Sequence, residues 1–388
     1  MNHRFIHLFA ILSITTAIVS CQKESFLVGD NENINLEKEN NYIHFCTGIE
    51  TRGALVEEED NVLKDDFAVL GYKYRGEWKD ANILTVPNVF YDGEDVKLPL
   101  HVKYEDGIFT YDDPEVWTGN NYAFFGFYPY IDDDNSPIKS IKLFDSNNVR
   151  AGHPYITYTL PSLTDPTQMI DLMTAAKKDA KFGDEAEVTM NMFHRLSALD
   201  IGVYNYSEHV IGKDSQGKDI TEDVTLEIIG CNIKFNVVNS AKIYLDNSIE
   251  TEYATTSFAT TNISLEEWWN WEDAFTVAPT GDKISYMTSS PETTLLLIPQ
   301  KEHLSGKINL KYKKKYKIDG NSTDSWEYIL SPKNTQVFET GDLDINFNKE
   351  LVEGRHYYIE VIFTSNAITV QGTVANDWVE KEVKHEFE

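Results

Sequence analysis

Residues 307–318 read Lys-Ile-Asn-Leu-Lys-Tyr-Lys-Lys-Lys-Tyr-Lys-Ile. Side chains alternate between the two faces of a β-strand. The stretch therefore puts Ile308, Leu310, Tyr312, Lys314, Tyr316 and Ile318 on one face, and Lys307, Lys311, Lys313, Lys315 and Lys317 on the other. The first face is largely apolar. The second is a lysine comb, suited to water or to guarding a sheet edge, with an acidic neighbour as the alternative use. The same period returns in Tyr357, Ile359, Val361 and Phe363, followed by a Thr364-Ser365-Asn366 turn and a second run through Ile368, Val370 and Val374. Further strands are predicted at Phe67–Tyr74, Phe124–Tyr130, Tyr155–Leu160, Leu199–Tyr206, Val224–Val238 and Thr293–Pro299. Helix signals are few: Gln168–Ala176, and Ser264–Trp271, where Ser264 would cap with Glu267 at the third helical position. This pattern predicts a mainly all-β chain, two β-sandwich (transthyretin-like) domains in tandem with few short helices. A polar break at Lys177–Glu187, containing Gly183, reads as the seam between an N-terminal domain, 53–183, and a C-terminal one, 184–388.

Composition narrows the function. A chain that is 41% hydrophobic and 12% aromatic has ample material for a core. A formal charge of −29 repels phosphate backbones and anionic headgroups, which excludes nucleic acid as a partner. Three cysteines make neither a disulfide framework nor a four-cysteine zinc site. Residues 1–20 read as a signal peptide ending Ile18-Val19-Ser20-Cys21, the pattern of a lipobox in which the Cys21 thiol is acylated with palmitate-type chains. The polar stretch Gln22–Asn41 then serves as a tether. Cys46 and Cys231 are expected as packed thiols, with pairing in an oxidising compartment as the alternative.

No constellation for catalysis emerges, and no catalytic residue, metal or cofactor is assigned. The ten histidines show no metal-ligand spacing, and His194, among apolar neighbours, reads as a hydrogen-bonded packing residue. Asp342, Asp344, Asn346 and Glu353 imitate a calcium loop, but Phe347 stands where the turn needs glycine, and Leu343, Ile345 and Phe347 alternate as in a strand. Asp132-Asp133-Asp134-Asn135 reads as an acidic loop tip. Trp268, Trp269 and Trp271 form the densest aromatic cluster, either packed or, in a surface-anchored glycan-binding lipoprotein, a platform for sugar rings.

Several segments, taken in order, carry a resemblance: the lipobox and tether, a first strand at Tyr42–Thr47, Thr51-Arg52-Gly53-Ala54, and Phe67-Ala68-Val69-Leu70-Gly71-Tyr72. After Asp171-Leu172-Met173-Thr174-Ala175 come Phe193-His194-Arg195-Leu196-Ser197-Ala198-Leu199, Gly354-Arg355-His356-Tyr357-Tyr358 and Val374-Ala375-Asn376-Asp377-Trp378. Together they resemble the fimbrillins, lipoprotein subunits of the type V pili of Bacteroidales. The resemblance implies a non-enzymatic adhesion pilin of a Gram-negative bacterium. It would be held on the outer membrane by its lipid only until processing, then assembled head to tail with like or unlike subunits at the cell surface. It implies a cut by a trypsin-like protease after Arg52, before Gly53, releasing residues 21–52 with the strand whose inner face is Ile43, Phe45, Thr47 and Ile49. Losing three large apolar side chains would open a groove costing roughly 5–9 kcal/mol. The family fills such a groove with a neighbour's strand. The candidate donor here is 379–388, with Val379, Val383 and Phe387 on one side, interrupted by Lys381 and His385.

Overall fold

The computed structural model describes residues 41–49, 63–82, 90, 99–130, 136–148, 152–161, 169–184, 187–249, 251–253, 258–264, 274–279, 284–287, 294–318, 325–347 and 349–374. The strands of the first part are β1 (Phe45–Ile49), β2 (Phe67–Tyr74), β3 (Leu100–Glu105), β4 (Ile108–Thr110), β5 (Asn121–Tyr128), β6 (Ile138–Lys142), β7 (Tyr155–Thr159), β8 (Met173–Ala180) and β9 (Val188–His194). Then come β10 (Ser197–Tyr206), β11 (Glu208–Lys213), β12 (Asp219–Val238), β13 (Ser240–Tyr244), β14 (Glu252–Tyr253), β15 (Phe258–Ser264) and β16 (Phe275–Val277). The last are β17 (Ser285–Tyr286), β18 (Leu295–Leu297), β19 (Ser305–Lys317), β20 (Trp326–Ile329), β21 (Phe338–Glu339), β22 (Leu343–Asn346), β23 (His356–Thr364) and β24 (Ile368–Val374). Among the described residues the helical content is two single 3₁₀ turns, Trp78–Asp80 and Ser146–Asn148. The chain is all-β.

The strands form four sheets. One has seven strands in the order β1-β9-β8-β5-β2-β3-β4, and a four-stranded sheet runs β14-β13-β7-β6. β17, β10, β18, β23 and β24 make a third, and an eight-stranded sheet is built on β11-β12-β19-β20 with β15, β16, β21 and β22 beside them. The seven-stranded sheet is apolar on both faces. Phe67 and Val69 of β2 with Tyr122 and Phe124 of β5 enter one core, while Ala68, Leu70 and Tyr72 with Ala123, Phe125 and Phe127 enter the other. That explains the near-continuous hydrophobic runs of β2 and β5, since a strand covered on both sides does not alternate. The second core continues through Ile156 and Ile243 to Ile201, Leu226, Ile308 and Val361. On β19, Ile308, Leu310 and Tyr312 are buried and Lys307, Lys311 and Lys317 exposed, as the alternation predicts. The comb is answered locally: Lys307 pairs with Asp344 at 2.8 Å and Lys315 with Glu227 at 2.6 Å.

Two expectations change. Within the helix predicted over Gln168–Ala176, Met173–Ala176 are instead the start of β8, because ladders to β5 and β9 override the helix propensity of the Met and Ala residues. Within the polar break at Lys177–Glu187, residues 177–180 are the end of β8, and β9, beyond the expected seam at 183/184, is a strand of the first sheet. Within the calcium-like segment, Leu343–Asn346 are strand β22, with Asp344 opposite Lys307. Cys46 and Cys231 are buried free thiols.

Sheet membership changes between β9 and β10, and this crossing is pinned by polar groups. His194 bonds Asp171 through Nδ1 at 2.8 Å. Arg195, fully buried, donates from Nη2 to the Ile249 carbonyl and to Thr251 Oγ1, each at 3.1 Å, and faces Glu353 Oε1 at 3.4 Å. Backbone bonds from Gly354 to the Leu196 carbonyl and from Ala198 to the Arg355 carbonyl, both 2.9 Å, join 195–198 to 352–355. Two segments far apart in sequence thus form one junction.

The four-stranded sheet carries its own charge cluster. Lys242 Nζ donates to Asp145 Oδ2 and to Tyr244 Oη, each at 2.6 Å, and sits 4.5 Å over the Tyr155 ring. Burial alone would raise the Asp145 carboxyl, but hydrogen bonds from Lys242, the Asn147 amide and Tyr244 outweigh it and hold it at about 2.

Breaking a buried ion pair from one side costs about 3–5 kcal/mol, so Arg195→Ala should destabilise the chain by that amount in urea unfolding. Asp145 titrates below its ordinary 3.8, so its contribution is present above about pH 4 and lost as pH falls towards 2. Lys242→Met should therefore be less stable at neutral pH and show a shallower fall in Tm between pH 4 and 2.

Candidate functional site

The region with functional geometry is the groove that holds β1. β1 is the edge of the seven-stranded sheet and runs parallel to β9, with Phe45 opposite Val188, Thr47 opposite Met190, Gly48 opposite Asn191 and Ile49 opposite Met192. The chain before it is pinned on the other side. Tyr42 bridges Val116, the Ile43 amide donates to the Glu115 carbonyl at 2.9 Å, and the Trp117 amide to the Asn41 carbonyl at 2.8 Å.

The side chains go deep. Ile43, Phe45 and Thr47 are buried, as the alternation predicts. The Phe45 ring meets Phe124 edge-on at 5.3 Å between centroids, Tyr111 at 5.8 Å, Phe90 at 6.1 Å and Phe67 at 6.4 Å, a box of four aromatic walls. Thr47 Oγ1 donates to the Leu63 carbonyl at 2.7 Å, and Tyr111 Oη donates to the Ile43 carbonyl at 2.7 Å. The next residue along, Cys46, is also buried, with Sγ 3.4 Å from Thr189 Oγ1. A Cβ added to Gly48 would lie 2.8 Å from Asn191 Oδ1.

Tyr111, Phe90 and Leu63 build the groove and were not predicted from sequence. Tyr111 lies on an aromatic run with Phe109, a signal for a strand but not for its distant partner. The other predicted positions, Cys21, Arg52, Gly53, Trp268, Trp269, Trp271, Val379, Val383 and Phe387, lie outside the described residues. Ser264 ends β15, which is paired with β12, and the predicted helix after it also falls outside them.

An edge strand that runs parallel to its neighbour and closes an aromatic core is a feature of the fold, and a sandwich of this kind serves more than one family. The family comparison says which: residues 59–378 match the fimbrillin-like model, and the chain belongs to that family. It is a subunit of a cell-surface pilus, a structural protein and not an enzyme. Among solved structures, a fimbrial protein from Bacteroides vulgatus shares 16% identity and a TM-score of 0.58, over 87% of this chain and 99% of that one. At that identity the likeness is one of fold. A fimbrial assembly protein from Parabacteroides distasonis gives 11% identity and a TM-score of 0.29, over 86% of this chain and 98% of its own. The tip fimbrial protein Mfa3 from Porphyromonas gingivalis, with a C-terminal truncation, gives 9% and 0.30, over 87% and 99%. Comparison with curated proteins finds no match.

Emptying the aromatic box should be costly: Phe45→Ala is expected to lose about 3–5 kcal/mol in chemical unfolding.

Proposed function

We propose that this pilus subunit is exported as a lipoprotein anchored through Cys21, cut after Arg52 by a trypsin-like protease, and polymerised by donor-strand exchange. The cut separates β1 and its tether from the rest of the chain. β1 leaves, and a strand from a neighbouring subunit takes its place beside β9. The 379–388 segment, with Val379, Val383 and Phe387 on one side, is the strand this subunit offers in turn.

One observation carries the reading: the strand just ahead of Arg52 is an edge strand that nevertheless supplies buried core residues. An edge strand can leave without breaking the order of the sheet behind it. Its departure uncovers Val188, Met190 and the Phe45 box and strips the Val188 amide of the His44 carbonyl at 2.7 Å. Exposed apolar surface and unpaired backbone favour the pairing of any suitable strand. Repeated head to tail, that contact makes a filament rather than a closed ring.

Trace trypsin on the precursor, followed by intact mass and unboiled gel electrophoresis, tests this. A clean cut after Arg52 and a ladder of detergent-resistant oligomers is the expected result. A cut chain that keeps β1 and stays monomeric would overturn it.

A further inference from the structure

We infer that the groove selects its strand by side chain, and that the strand it takes after processing comes from a different subunit rather than from a second copy of this chain. The inference rests on the strand-exchange reading above and names the partner that reading requires.

Selection operates at consecutive positions. Opposite Val188 the groove offers the aromatic box, which asks for a ring of about the size of Phe45. At the next position an edge strand would ordinarily put its side chain in water. Here Cys46 is 7% exposed and faces the Thr189 hydroxyl, so a charged group would lose its hydration beside a neutral partner. Thr47, 2% exposed, donates a hydrogen bond to the Leu63 carbonyl, which asks for a small hydroxyl residue. At Gly48 an added Cβ would meet only Asn191 Oδ1, the end of an exposed side chain that can swing aside, so that position does not select. The fitting strand therefore reads aliphatic, any, aromatic, small, Ser or Thr, and lies parallel to β9. Such a site works by rejection as much as by attraction.

This chain's own C-terminal segment fails that test. It runs Trp378, Val379, Glu380, Lys381, Glu382, Val383, Lys384, His385, Glu386, Phe387, Glu388. Laid parallel to β9 with Val379, Val383 or Phe387 in the box, it puts Glu380, Lys384 or Glu388 at the Cys46 position. With Trp378 in the box, Glu380 falls where Thr47 is buried. Every register that fills the box with an apolar residue buries a charge at one of the next two positions. The segment is suited to the groove of some other subunit, and this groove to a strand uncharged over that stretch.

The test uses the full chain in two forms. After cleavage following Arg52, fluorescent peptides spanning 41–50 and 378–388 are titrated onto it. The 41–50 peptide should bind, and the 378–388 peptide and a 41–50 peptide carrying Cys46→Glu should bind at least about tenfold more weakly. A 378–388 peptide that binds as tightly as 41–50 overturns the inference. In the uncut chain, Cys46→Glu should speed hydrogen exchange of the Val188 amide by about tenfold or more relative to Cys46→Ser. Unchanged exchange would overturn it as well. If the cut chain takes up neither peptide while Cys46→Glu loosens β1 in the uncut chain, strand exchange fails and the selectivity of the groove stands.

Discussion

Phe45 in its aromatic box closes the outer core of the seven-stranded sheet, and the rest of the first part of the molecule is arranged around that contact. Because the sheet is apolar on both faces, each face needs a cover. One face is shared with the core that continues towards the later strands. The other is completed by Ile43 and Phe45, from a strand at the sheet's edge. Burial of these two side chains contributes roughly 3–6 kcal/mol, a large share of the whole stability of an ordinary domain, about 5–15 kcal/mol. A chain that loses this strand is left with a strong drive to recover an equivalent one.

The remaining strands of the sheet do not depend on β1 for their order. β8 is paired with β5 and β9, and β5 with β2, so removing the edge leaves these ladders intact. The crossing from β9 to β10 is held independently by Arg195, His194 and their partners, which anchor it to the 352–355 segment. Strand loss and structural integrity are thereby assigned to different groups of residues. That separation is what a subunit needs if it is to open one edge without unfolding.

Much of this was legible in the sequence where a single physical rule governs. The alternation of 307–318 and of 357–363 defines strands whose burial follows it at Ile308, Leu310 and Tyr312 and at Tyr357, Ile359, Val361 and Phe363, while Ile318 is exposed and Glu360 is buried. The inner positions Ile43, Phe45 and Thr47 are likewise plain from alternation. The readings that fail are those in which distant residues decide. The Met173–Ala180 segment has helix-forming composition, and only its two ladders make it a strand. The polar break at 177–187 looks like a linker because the exposed end of a strand and a linker share the same polar composition. The burial of Cys46 is invisible locally, since an edge strand is expected to wet one face. The walls of the Phe45 box come from Phe67, Phe90, Tyr111 and Phe124, which no spacing rule brings together.

The most direct measurement is a cryo-electron microscopy map of the assembled filament at side-chain resolution, read at the edge of β9 in this subunit. The expected density is a strand from another molecule lying parallel to β9, with an aromatic ring in the Phe45 box and no trace of residues 41–49. Density for Ile43, Phe45 and Thr47 still in place in the assembled subunit would contradict it.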